Sequence, residues 1–145
     1  TTLLRDLVRC LSTGGPGRPG LRVSLIDERG EVAVMVRGAP QMDVGLRTDV
    51  LDACPKALGI PMALRAMNPQ VIAVDEITAE ADLRAAVQAA GCGVGLLATI
   101  HAADAEELDQ RPLYRQLLAE GVFRLAVCIR REGSERTYEV EELPW

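Results

Sequence analysis

Val71-Ile72-Ala73-Val74-Asp75-Glu76-Ile77 is the stretch on which the fold turns. Four consecutive apolar residues mark a short strand buried on both faces. Two carboxylates follow at its carboxyl end, which is where open parallel sheets place their ligands. This is the layout of a Walker B strand. The first acid holds Mg²⁺, directly or through water, and the second polarises the attacking water. A hard divalent ion needs oxygen ligands on a fixed mount, and a strand tip supplies one. The competing reading is that Asp75 and Glu76 merely open a helix-capping turn.

Working outward, Thr78 is placed to cap a helix through Ala90, with Leu83, Ala86, Val87 and Ala90 inward and Gly91 at its end. Gly95 to Ile100 reads as a second short buried strand. It ends in Thr99 and, two residues on, the only histidine, His101. In many P-loop ATPases the strand beside Walker B ends in a polar residue that senses the γ-phosphate. A lone histidine at a strand end is otherwise structural. On the other side, Pro55 opens a helix to about Met67, and Asn68-Pro69 stops it.

Leu3, Leu4, Leu7, Val8 and Leu11 recur at helical spacing, so residues 1–11 form an amphipathic helix, and Ser12 to Gly20 breaks it. Leu21 to Asp27 reads as a strand ending in the acidic pair Asp27-Glu28. Glu31 to Val36 reads as its hairpin partner, and residues 37–52 as a long loop. Pro112 starts a helix to Glu120. Val122 to Arg130 and Thr137 to Leu143 are β-like, with a turn at Glu132-Gly133-Ser134. Buried strands alternating with helices predict an α/β domain with a mostly parallel central sheet.

The 145 residues suffice for one domain, and such a chain buries roughly 68–70% of its unfolded surface. Only Tyr114, Phe123, Tyr138 and Trp145 are aromatic and the net charge is −5, so neither stacking platforms nor a phosphate-neutralising surface is expected. The longest nearly unbroken apolar run, Gly91 to Ile100, is about half of what a membrane helix needs. Thr1-Thr2-Leu3-Leu4-Arg5-Asp6 does not read as a signal peptide. Cys10, Cys54, Cys92 and Cys128 are too scattered for a zinc knuckle or a redox pair and are expected as free thiols.

Thr1-Thr2-Leu3-Leu4-Arg5 fits the segment just after Gly-Lys, where a GxxxxGK[ST] phosphate loop runs into its helix. The sole lysine, Lys56, lies in Cys54-Pro55-Lys56 and is not a Walker lysine. The elements therefore fall in the order of an ATPase core: post-loop helix, acidic strand, Walker B, sensor strand. With them come Val23-Ser24-Leu25-Ile26-Asp27-Glu28-Arg29, Gly38-Ala39-Pro40-Gln41, Asp43 through Asp52 (DVGLRTDVLD) and Cys54-Pro55-Lys56. In these stretches, and in Val71–Ile77 and Leu97–His101, the chain resembles the stage III sporulation protein AA family over nearly its whole length.

The resemblance implies a RecA-like P-loop ATPase related to the motor ATPases of bacterial secretion systems. It implies ATP and Mg²⁺ as cofactors and a homo-oligomeric ring. It further implies action from the mother-cell cytoplasm on a channel complex at the forespore membrane. In that frame Thr1 is the P-loop hydroxyl on Mg²⁺ with Thr2 beside it, and Asp75 is the second metal ligand. Glu76 activates water, with Glu28 competing for that role. Thr99 and His101 form the histidine motif that reads the γ-phosphate. Arg47 reaches a phosphate or a neighbouring subunit as an arginine finger, or pairs with Asp43 or Asp49 instead; Arg29 and Arg37 are further loop arginines.

The chain is then expected to be the C-terminal part of one ATPase domain, residues 1–145, without its first strand and Gly-Lys loop and inactive alone. The Gly95–Ile100 strand would lose a neighbour with that missing strand. Two rivals stand: a nucleic-acid-binding ATPase, and an interaction domain that has lost its nucleotide site. Acidic clusters at Asp104 to Asp109 and Glu139 to Glu142 read as solvated faces.

Overall fold

A computed structural model describes residues 1–102 and 105–143. In chain order the elements are α1 (Thr2–Thr13), β1 (Gly14–Gly15), β2 (Arg18–Pro19), β3 (Val23–Asp27), β4 (Met35–Val36), β5 (Ala39–Pro40), β6 (Thr48–Asp52), α2 (Lys56–Ala66), β7 (Val71–Val74), α3 (Glu80–Gly91), β8 (Gly95–Ala98), α4 (Ala105–Gln110), α5 (Pro112–Ala119), β9 (Leu125–Glu132) and β10 (Glu135–Glu142). They divide into two compact units, Thr1–Ile100 and His101–Trp145.

The first unit is built on a four-stranded parallel sheet in the order β6-β3-β7-β8. All five residues of β3 are buried, because neighbours on both edges and helices on both faces leave it no solvent. On one face Val23, Leu25 and Ala73 meet Leu4 and Val8 of α1, with Val32, Ala33 and Val44 closing the cluster. Leu4 and Val8 are one helical turn apart, so they project from the same side of α1. On the opposite face Ile26 lies against Gly59 of α2, and Ser24 donates to Met67 Sδ at the end of that helix.

The two α1 ends fix its direction. Near its start, Arg5 donates to the carbonyls of Val32 and Glu31, which come after the carboxyl end of β3. Near its end, Ser12 Oγ accepts the Arg47 N–H at 2.6 Å, just before β6 begins. The helix therefore runs antiparallel to the strands, with Thr1 at the carboxyl edge of the sheet.

Several local expectations change. No hairpin joins Leu21–Asp27 to Glu31–Val36. The Asp27 carboxylate instead accepts the N–H groups of Glu31, Val32 and Ala33, at 3.1, 3.1 and 2.9 Å for the shorter contacts. That clamp folds the apolar run inward as a loop, with Val32 and Ala33 fully buried. Residues 37–52 are not loop throughout, since Thr48–Asp52 form edge strand β6. Its sequence TDVLD hides the strand because only Leu51 is buried. Thr78 does not cap α3; Ala79 is the N-cap, and the Asp82 carboxylate accepts the Thr78 and Ala79 N–H groups. Strand β8 has β7 as its only sheet partner among the described residues.

In the second unit, Leu108 of α4 and Tyr114 and Leu117 of α5 are buried. The acidic sequence of α4 hides that helix behind its charges. Strands β9 and β10 pair antiparallel from Leu125↔Glu142 to Glu132↔Glu135, turning at Gly133 with φ +63°. The acidic clusters are partly ion-paired: Glu107 with Arg111, Asp109 with Arg115 at 3.8 Å, Glu139 with Arg130 at 3.8 Å. Asp104 and Trp145 lie outside the described residues. The four cysteines are free thiols.

Candidate functional site

The register Asp27↔Asp52, Ile26↔Val74 and Val74↔Ala98 aligns the carboxyl ends of all four strands. Asp75, Glu76 and Thr99 therefore emerge side by side, just beyond their strands. Thr99 Oγ1 donates to Asp75 Oδ1 at 2.7 Å and accepts the Glu76 N–H at 2.8 Å. Two main-chain bonds lace the same tips: Ile77 N–H to the Thr99 carbonyl and Thr99 N–H to the Val74 carbonyl. Glu76 is held at φ +45°, a left-handed conformation that costs of order 1 kcal/mol or more in a non-glycine residue.

This bracing leaves one atom unspent. Asp75 Oδ2 is buried and has no hydrogen-bond partner. Its nearest cation is Arg29 Nη2 at 3.8 Å, which also lies 3.2 Å from Glu76 Oε2 and 3.3 Å from Glu31 Oε2. A divalent cation at this edge could take Asp75 Oδ2 as a protein ligand. A buried carboxylate oxygen is free, and no cluster of three or more ligating side chains exists among the described residues. Mg²⁺ keeps several waters and takes one or two carboxylates together with substrate phosphates.

The remaining candidates separate. Glu28 comes directly after β3 at the same edge, but its carboxylate is ion-paired with Lys56 Nζ. That lysine side chain is only 7% exposed, so the partner is fixed. Thr1 and Thr2 are exposed at the α1 start, and Thr1 makes no side-chain cap bond. Arg47 is not brought to this edge. Its carbonyl accepts the Val23 N–H at the amino end of β3, and five residues at about 3.3 Å each put it about 16 Å from the carboxyl ends. An arginine there cannot reach a phosphate held by Asp75 of the same chain. His101 begins the second unit, exposed, with its carbonyl accepting from Arg111.

Three residues of this edge are not legible in the sequence. Asp27 reads only as half of an acidic pair at a strand end, yet serves as the backbone clamp of the 28–33 loop. Lys56 carries one signal, being the single lysine of the chain. Arg29 carries none, because nothing in a sequence says which way a loop arginine turns.

The family described as "Sporulation stage III, protein AA" matches residues 1–140. The chain belongs to that family. Its relative in Bacillus subtilis (strain 168), "Stage III sporulation protein AA", is 43% identical over 123 residues, 85% of this chain and 40% of that protein. Among solved structures, the Legionella pneumophila ATPase DotB superposes with a TM-score of 0.65 at 18% identity, over 97% of this chain and 40% of DotB. The Yersinia pseudotuberculosis ATPase DotB gives 0.65 at 13% identity, over 99% of this chain and 40% of its own. The pilus retraction motor PilT with bound ADP gives 0.56 at 18% identity, over 88% and 40%. The chain thus spans about 40% of the length of each of these four proteins. It is a stage III sporulation protein AA family member with the α/β fold of these P-loop ATPases.

Proposed function

We propose that the carboxyl edge of the sheet is the Mg²⁺–ATP end of an ATP-hydrolysing motor or assembly ATPase. The observation that carries this reading is the pairing of a braced Asp75 Oδ1 with a buried, unpartnered Oδ2 at the carboxyl tip of β7. A structural acid spends its carboxylate on backbone N–H groups, as Asp27 and Asp82 do, whereas no backbone N–H bond to the Asp75 carboxylate is seen among the described residues. Mg²⁺, when bound, neutralises charge on the transferring phosphate.

In this reading Asp75 holds the metal, and Thr1, at the start of α1, adds its hydroxyl. Thr2 lies next to the phosphates. Glu76 orients the attacking water and takes its proton. Glu28 is the weaker candidate for that role, because its buried lysine partner cannot leave, whereas the partner of Glu76 is a half-exposed arginine. Thr99 fixes the Asp75 carboxylate and the Glu76 backbone rather than touching the nucleotide, since its hydroxyl already bonds Asp75 Oδ1 and the Glu76 N–H. His101 as reporter of the γ-phosphate rests on the family likeness of the Thr99–His101 motif alone. The same likeness supports a homo-oligomeric ring working from the mother-cell cytoplasm on a channel complex during spore formation. No helix among the described residues is long and apolar enough to cross a membrane.

Two substitutions in the full-length protein test the reading. Asp75→Ala is expected to abolish Mg²⁺-dependent nucleotide binding. Glu76→Gln is expected to keep binding and lower turnover by about 10²–10⁴-fold, the worth of a general base. Normal turnover in both variants overturns the assignment of Asp75 and Glu76, whereas absence of ATP binding by the unaltered full-length protein points to an interaction domain without a nucleotide site.

A further inference from the structure

Arg29 is the one cation aimed at both site carboxylates among the described residues, and the Mg²⁺–nucleotide reading leaves it without a task. Its root is rigid. Gly30 N–H bonds the Asp27 carbonyl at 3.2 Å, and the Asp27 carboxylate clamps residues 31–33, so the turn that carries Arg29 is pinned to β3. Its tip is free by comparison, with the side chain 56% exposed and held only by carboxylates. A rigid root with a half-exposed, permanently charged fork can change partners without moving the backbone.

The partner it must give up is plain. Arg29 Nη2 lies 3.8 Å from Asp75 Oδ2, the same oxygen that is free for a metal. Two cations cannot crowd one buried oxygen at that range without strong repulsion. Beside Asp75 and Glu76, the group that a guanidinium fork matches best is a phosphate.

We propose, resting on the Mg²⁺–nucleotide reading above, that Arg29 is the residue that distinguishes a nucleoside triphosphate from a diphosphate at this site. Without metal it neutralises Asp75 and Glu76. With metal–nucleotide present it leaves both carboxylates and bonds the terminal phosphate, which also frees Glu76 for water. Glu31, 3.3 Å away, keeps a resting contact on the outer side of the fork.

The test measures equilibrium binding on the full-length protein, with Mn²⁺ alone as the metal probe and with ATP and ADP in Mg²⁺. Arg29→Gln is expected to tighten Mn²⁺ alone about tenfold and weaken ATP about tenfold, with ADP within about twofold, one charge-assisted contact being exchanged in each case. Arg29→Lys keeps the charge and loses the fork. It is expected to leave Mn²⁺ affinity near wild type while losing part of the preference for ATP over ADP. Unchanged Mn²⁺ affinity in Arg29→Gln, or equal weakening of ATP and ADP, overturns the proposal. Asp75→Ala measured alongside separates the two levels. Loss of Mn²⁺ and nucleotide there, with no effect in Arg29→Gln, removes only the role of Arg29. Undiminished binding in Asp75→Ala removes the metal–nucleotide reading and this inference with it.

Discussion

Thr99 Oγ1 and Asp75 Oδ1 stand 2.7 Å apart across two parallel strands, and the same hydroxyl accepts the main-chain N–H of Glu76. One side chain at the tip of β8 thereby sets the aim of a carboxylate at the tip of β7 and holds the left-handed backbone of its neighbour. The hydroxyl acts in both of its hydrogen-bonding capacities, as donor and as acceptor.

Thr99→Val keeps the shape and removes both bonds, leaving the Glu76 N–H and Asp75 Oδ1 without that partner. A loss of about 1–3 kcal/mol in stability is expected by urea unfolding, together with weaker Mg²⁺–nucleotide binding. Thr99→Ser restores the hydroxyl and is expected to recover most of both. Equal behaviour of the valine and serine variants would show that the bridge carries nothing.

The Glu28–Lys56 pair is lopsided, with side-chain exposures of 39% and 7%. Glu28→Gln strands an ammonium in the protein interior, which breaking a buried pair makes costly. The solvent at the Glu28 end screens part of this, so about 2 kcal/mol is expected rather than the full penalty. Lys56→Met leaves a carboxylate that water can reach and fills the space of the lysine stem, so a loss under about 1 kcal/mol is expected. The order of the two midpoints in urea is the measurement, and a reversed order refutes the account.

Gly59 and Gly91 make opposite predictions for the same substitution. Alanine raises helix propensity by about 1 kcal/mol at either site. At Gly59 a Cβ would lie 2.6 Å from Ile26 Cγ2 and 3.1 Å from Cys54 Sγ, contacts that must shift in the core. Overpacking of about 1–3 kcal/mol outweighs the propensity gain, so Gly59→Ala destabilises. At Gly91 nothing lies within 4 Å of the new atom, and Gly91→Ala is expected to stabilise by about 0.5–1 kcal/mol. Thermal melts of the two variants decide it.

The residues alone determined the central architecture. The apolar run Val71–Val74, the helical stripe through Leu4 and Val8, and the punctuation at Pro55, Gly91 and Pro112 are local signals, and each produced its element. They also placed Asp75, Glu76 and Thr99 at strand ends, because a strand buried on both faces must release its polar residues at its tip. The tertiary structure alone decided how the remaining polar groups are used. Asp27 and Asp75 look alike in sequence, each a carboxylate closing an apolar run. One is consumed by three backbone N–H groups, and the other keeps a bare oxygen. Arg47 and Arg29 are both loop arginines, yet only Arg29 lies at the edge where the carboxylates emerge. Such differences depend on the register of parallel strands and on the direction of α1. Contacts between residues far apart in the chain set both, and no local pattern encodes them.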